Sequence, residues 1–221
     1  MGIPRLRAYT GPAFLSYGFR PFFFLGSLYA ALSILLWLPI YAGELDAHSA
    51  FIAVDWHIHE MLFGYLPAIV TGFLLTAIPN WTGRLPVQGL PLLALVVLWL
   101  AGRAAVFFSA DIGWEAVAVI DGSFLLAVAA AAAREIVAGR NWRNLKVLLP
   151  LAVLAYANGM FHVEAHLQGT SDISPRLGMA AAIVLISLIG GVSFRASRAT
   201  GSPGKILASC LRRSTVLTSY R

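Results

Sequence analysis

The sequence predicts an all-α polytopic membrane protein: a bundle of about six transmembrane helices, counted at about 20 apolar residues per span, with the N-terminus inside. Three observations carry this. Only 12% of the 221 residues are charged and 59% are hydrophobic, with a mean hydropathy of +0.77, whereas a soluble domain carries about 25% charged residues. Six apolar stretches follow one another with short polar joins. None of them shows the two-residue alternation of a membrane barrel, and helices are the other structure that satisfies its own backbone in lipid.

The stretches are Pro21–Gly43, Val54–Pro79, Leu90–Phe108, Trp114–Ala133, Leu145–Leu167 and Leu177–Gly191. Pro21 opens the first where a missing N–H costs nothing. In the fourth, Ala129–Ala133 is a small-residue surface that lets a neighbouring helix approach closely. The sixth is short and stops abruptly at Gly190-Gly191. The first run is too long, and begins too far into the chain, for a cleaved signal peptide.

Charge sets the orientation, because Lys and Arg concentrate on the inner side. Arg5, Arg7 and Arg20 precede the first span, Arg84 lies in the second loop, and Arg134, Arg140, Arg143 and Lys146 flank the fourth. The first and third loops with their flanking turns carry Glu44, Asp46, Asp55, Asp111 and Glu115 and no basic residue; the fifth has Asp172 with Arg176. Even loops are therefore inside and odd loops outside. Asn80, Trp81 and Arg84 read as an inner-face belt.

The chain's +6 charge belongs to its end. Met1–Gly191 holds ten Lys/Arg and ten Asp/Glu, and all six excess positive charges lie in Val192–Arg221. The single cysteine, Cys210, lies there too, which excludes a disulfide framework or thiolate metal site in the body. The organisation read from the sequence is a transmembrane domain over residues 1–191 and a basic tail over 192–221. No phosphate loop, dinucleotide fingerprint, serine elbow or HExxH is present, and nucleic-acid binding has no support in the body.

Ionisable groups at membrane depth are costly and mark functional sites. With the orientation above, His57, His59 and Glu60 lie in the first turns of the second span, and His162, Glu164 and His166 near the last turns of the fifth. Both histidine pairs are thus at the outer edge, and His48 lies in the first outer loop. Imidazole ligates haem, copper and zinc, so His57, His59, His162 and His166 are the candidate metal ligands. His162 and His166, spaced i,i+4, share one helical face. His57 and His59 point about 200° apart at about 100° per residue, so one ligand from the second span facing one or two from the fifth is the economical geometry. Glu60 shares a face with His57 and is placed to accept its ring N–H. The alternative is that these are interfacial histidines with their rings among the headgroups.

Arg103 and Asp121 fall inside the third and fourth spans, placed to pair across antiparallel helices; Arg103 is also a candidate partner for a haem propionate. Asn158 lies one turn below His162 on the same face, placed to bond across helices or line a small-ligand pocket.

Three longer motifs carry a family resemblance: Tyr17-Gly-Phe-Arg-Pro-Phe-Phe23, Trp56-His-Ile-His-Glu-Met-Leu-Phe-Gly-Tyr65 and Ala77-Ile-Pro-Asn-Trp-Thr-Gly-Arg-Leu-Pro86, joined by Phe161-His162 and the following His166. Over Ala13–Gly191 the chain resembles the NnrS family. The resemblance implies a bacterial inner-membrane protein containing haem and copper, tied to nitric oxide metabolism and nitrosative stress. It implies membrane lipid and a small diatomic ligand such as nitric oxide as partners; it names no electron donor, and no residue here establishes catalysis. The rival readings are a transporter or sensor that handles protons through its histidines and the Arg103/Asp121 pair, and a nonfunctional fragment.

The last reading rests on two departures. Family members are about twice as long, with a second set of spans, so the chain resembles their first half. After Gly191 the family continues Arg, an aliphatic pair, then Pro-Ser-Phe-Thr-Arg-Asn-Trp, where this chain has Val192-Ser-Phe-Arg-Ala-Ser-Arg-Ala-Thr-Gly-Ser202. Joining the third base of each codon to the first two of the next admits the family residue at every step. The expectation is therefore a single-base deletion near the Gly191/Val192 codons, with Val192–Arg221 out of frame and disordered; the alternative is a genuine basic cytoplasmic tail.

Overall fold

The computed structural model describes residues 9–200, with side chains over 9–190. The described residues form six long helices and no strand: α1 Phe19–Tyr41, α2 Ala53–Thr82, α3 Leu90–Phe107, α4 Trp114–Ala138, α5 Leu148–Gln168 and α6 Ile173–Thr200. A short helical turn, Ser109–Ile112, joins α3 to α4, and a 3-10 turn, Trp142–Val147, leads into α5. Six segments are long and apolar enough to cross a membrane, and the chain is an all-α, multi-pass membrane protein.

The predicted spans match these helices with shifted ends. Helix α1 starts at Phe19, so Pro21 sits in its first turn rather than at its first residue. Helix α4 runs past the apolar stretch to Ala138, because Arg134 and Glu135 are good helix formers where the helix leaves the bilayer. Helix α6 begins at Ile173, ahead of its apolar run, because Glu164 at the end of α5 takes up its first backbone donors. Ser174 donates to Glu164 from its backbone N–H (3.1 Å) and its hydroxyl (2.8 Å). Helix α6 continues through Thr200; the remainder of the predicted tail, with Cys210, lies outside the described residues.

The chain divides into two compact units at Val184/Leu185, within α6, and everything that positions the site lies in the first. There α2 is the most buried of the long helices. Helix α2 packs on α1 and α4, while α4 also packs on α3 and α5. The most apolar window of α2 is 61% buried against 17% for α1, so α1 is the most exposed of the six and α2 the one that must satisfy most of its polar groups internally.

Helix α2 is not uniform. Between its α-helical parts, Glu60–Tyr65 winds as a π-helix. Pro67 supplies a reason: it has no N–H for the carbonyl four residues back, and its ring crowds that carbonyl, a conflict that a wider turn relieves. The wider turn also leaves the Gly64 carbonyl to an outside donor, the Trp99 indole of α3 at 2.9 Å. π-turns recur at functional sites, and this one begins at the residue after His59.

Candidate metal centre

One histidine from each pair enters the bundle and the other stays at its margin. His59 is fully buried and His162 is 1% exposed. Their rings lie 5.0 Å apart, edge to face, brought together from the first turns of α2 and the last turns of α5. Asp121 of α4 completes the group: its Oδ2 lies 3.3 Å from His59 Nε2 and 3.3 Å from His162 Nε2. One ligand-capable atom from each of His59, Asp121 and His162 falls within a common 4.8 Å. Ligands at 2.0–2.2 Å from a tetrahedral ion lie roughly 3.3–3.6 Å from one another, so the two spacings from Asp121 Oδ2, which are also hydrogen-bond contacts, are compatible with a shared ion.

The group is tied to a larger polar network. Arg103 of α3 donates to both Glu60 oxygens, at 2.8 and 2.7 Å, and to Asp121. The Tyr29 hydroxyl of α1 donates to Glu60. Asn158 donates through Nδ2 to Asp121 (2.8 Å) and turns its carbonyl oxygen to His59 Nε2 (3.0 Å). Five helices thus contribute to one buried cluster. Two glycines let the backbone come close enough: a Cβ at Gly64 would collide with the Arg103 guanidinium, and one at Gly102 would stand 3.0 Å from Asp121 Oδ1.

The charges do not cancel. Glu60 and Asp121 contribute two negative charges and Arg103 one positive. Buried charge demands compensation, so the cluster calls for one more positive charge. His59 is where it belongs. Its Nδ1 faces Glu60 Oε1 at 3.1 Å and its Nε2 faces Asn158 and Asp121 oxygens. A neutral imidazole cannot donate to both sides. Either a second ring proton or a cation at Nε2 resolves this, and with a cation Glu60 holds the remaining N–H and fixes the ring, the usual outer support of a ligating histidine.

Several placements differ from the sequence reading. Glu60 serves His59, Arg103 and Tyr29 instead of His57, because its carboxylate is drawn to the buried guanidinium. His57 lies away from the cluster, stacked on Trp37 of α1 (4.3 Å, 21°), with its Nδ1 buried and without a partner among the described residues. His162 and His166 share a helical face but not a site: one turn nearer the helix end His166 is exposed and stacks on Trp114 (4.6 Å, 15°). Arg103, read also as a propionate partner, is committed to two internal carboxylates. His48 stays at the surface, 3.5 Å from Asp111. Glu164 caps α6 and takes no part in the centre. The expected Arg103–Asp121 pair and the cross-helix bonds of Asn158 are both present.

Sequence reasoning missed Tyr29 as a member of the cluster. The available signal was a phenol in the middle of the first span, which it shares with the hydroxyls of Ser27 and Ser33.

No curated protein and no solved structure matches the chain. The family model described as NnrS protein matches residues 13–199, a span that holds all the residues of this centre and runs past Gly191. A six-span helical bundle with that match over most of its length belongs to the NnrS family.

Proposed function

We propose that the protein is a bacterial inner-membrane metalloprotein that acts in the handling of nitric oxide or its products, with one copper ion held by His59, Asp121 and His162. The observation that carries this reading is the convergence of three ligand-capable side chains, from three different helices, in a buried cluster short of one positive charge. Two imidazoles and a carboxylate form a donor set of intermediate softness that suits copper, zinc or iron; the family resemblance selects copper. When bound, copper supplies one-electron chemistry and a place for a small diatomic ligand.

The chain's own residues do the rest. Glu60 orients His59 by accepting its Nδ1–H, and Arg103 holds Glu60 and Asp121 in place. Asn158 shares Asp121 Oδ2 and fixes the carboxylate from the α5 side. Phe51, Phe63 and Phe161 close the centre against water, with ring centroids 5.2, 5.5 and 5.0 Å from the His59 ring.

Haem does not fit at this centre. The same three phenylalanines pack directly against His59, and Phe161 lies 5.2 Å from Phe51 and 5.7 Å from Phe63. Rings this close leave room for an ion among its ligand atoms and none for a planar macrocycle.

X-ray absorption of the copper-loaded, purified protein tests the reading. The expected first shell has two imidazole nitrogens and carboxylate oxygen, and His162→Gln removes one imidazole. A shell without imidazole, or one unchanged by His162→Gln, contradicts it. A protein that takes up no metal, yet shows proton uptake altered by Asp121→Asn, would favour the proton-handling reading instead.

A further inference from the structure

The far end of the bundle carries a second charged cluster that the metal centre does not use. Glu135 lies fourteen residues beyond Asp121 on α4, about 21 Å along the helix at 1.5 Å per residue. Its side chain is 10% exposed and accepts from two arginines. Arg84, just beyond the end of α2, donates through Nε to Oε2 at 2.7 Å. Arg134 donates through Nε to Oε1 at 3.0 Å, with its Nη2 at 2.9 Å from the same oxygen. The two arginine side chains are open, at 46% and 67% exposure. Among the described residues, no protein acceptor takes either terminal nitrogen of Arg84 or the Nη1 of Arg134.

One carboxylate therefore holds two arginines by their inner edges and leaves their outer N–H groups pointing away, with one net positive charge. They line an open cleft of about 460 Å³ together with Pro86, Gln88 and Pro91. Leu85, 47% exposed, and the exposed Pro91 give the cleft an apolar side. Paired guanidinium forks at the mouth of an apolar wall suit an anion that carries a hydrocarbon chain. Arginine binds phosphate through parallel N–H donors, and basic pockets between transmembrane helices recognise lipid headgroups.

We propose that Arg84 and Arg134, held by Glu135, bind the phosphate of an anionic phospholipid at the end of the bundle opposite the metal centre. The lipid tail lies against the exposed Leu85, which lines the same cleft. Glu135 is a positioning residue: it spaces the arginines and competes with the phosphate for them.

The test is lipid binding by the full chain in neutral detergent, titrated with phosphatidylglycerol, with phosphatidylcholine, and with inorganic phosphate as competitor. The expected result is a preference for phosphatidylglycerol that falls about thirtyfold in Arg84→Gln/Arg134→Gln, the loss of two membrane-facing cations, and survives Arg176→Gln. Glu135→Gln, which keeps both guanidiniums and removes their internal partner, strengthens binding and decides the matter should the double variant not fold. Equal binding of the two lipids by the wild type overturns the proposal, as does a preference that persists without the arginines. Weakened binding in a Glu135→Gln protein of unchanged thermal stability also overturns it. Displacement of the lipid by inorganic phosphate at equal affinity would reassign the cleft to free phosphate.

Discussion

The two ends of the bundle bring arginine and carboxylate together in opposite ways. At the candidate metal centre one arginine serves two carboxylates in full burial: Arg103 is 5% exposed, Glu60 is fully buried and Asp121 is 2% exposed. At the other end two exposed arginines serve one carboxylate, Glu135, whose side chain is 10% exposed. The first arrangement has a negative excess, the second a positive one. The difference follows from the solvent. In the interior every ionised group must find its partners within the protein, and the excess defines what the cluster lacks, a cation. At the margin water and lipid headgroups complete the pairing, and the excess defines what the cluster attracts, an anion.

Substitutions sharpen this contrast by size of effect. The largest belongs to Arg103. Replacing it by Met leaves two buried carboxylates facing each other, and breaking a buried pair costs about 3–5 kcal/mol; thermal unfolding in detergent should show a collapse of stability or no folded protein. Gly64→Ala comes next, because the added methyl meets the guanidinium, and overpacking costs about 1–3 kcal/mol. Its distinguishing readout is metal occupancy, which should fall through displacement of Arg103 and Glu60. Tyr29→Phe removes one donor to Glu60 and should cost about 1 kcal/mol, the size of a hydrogen bond between membrane helices, with metal retained. The smallest effect is at the margin. Arg84→Gln should change stability by about 0–1 kcal/mol, as for other exposed ion pairs, and equal losses for Arg84→Gln and Arg103→Met would break the contrast.

Much of this architecture is legible in the sequence, for reasons that differ by residue. The spans are readable because lipid imposes one simple demand, about 20 apolar residues, and each observed helix overlaps its predicted stretch with shifted ends. The ends shift where polar contacts extend a helix beyond the apolar run, as Glu164 does for α6. The divergence of His57 and His59 follows from helical spacing alone. Which of the two turns inward does not, because that depends on where α4 places Asp121. The i,i+4 relation of His162 and His166 holds for direction and fails for depth: a turn of about 5.4 Å carries His166 out to the exposed Trp114. Glu60 is the instructive misassignment. Its position relative to His57 was sound, but a buried guanidinium on another helix outweighs a local ring N–H. Tyr29 shows the same limit, since its partner lies 31 residues away on a helix whose rotation the sequence does not fix.

The split of the histidine pairs is the central claim, and metal stoichiometry of the full-length protein tests it most directly. The account predicts that His59→Ala and His162→Ala each lose the bound copper, while His57→Ala and His166→Ala keep it at the wild-type ratio. Copper retained in the first two variants, or lost equally from all four, would contradict it.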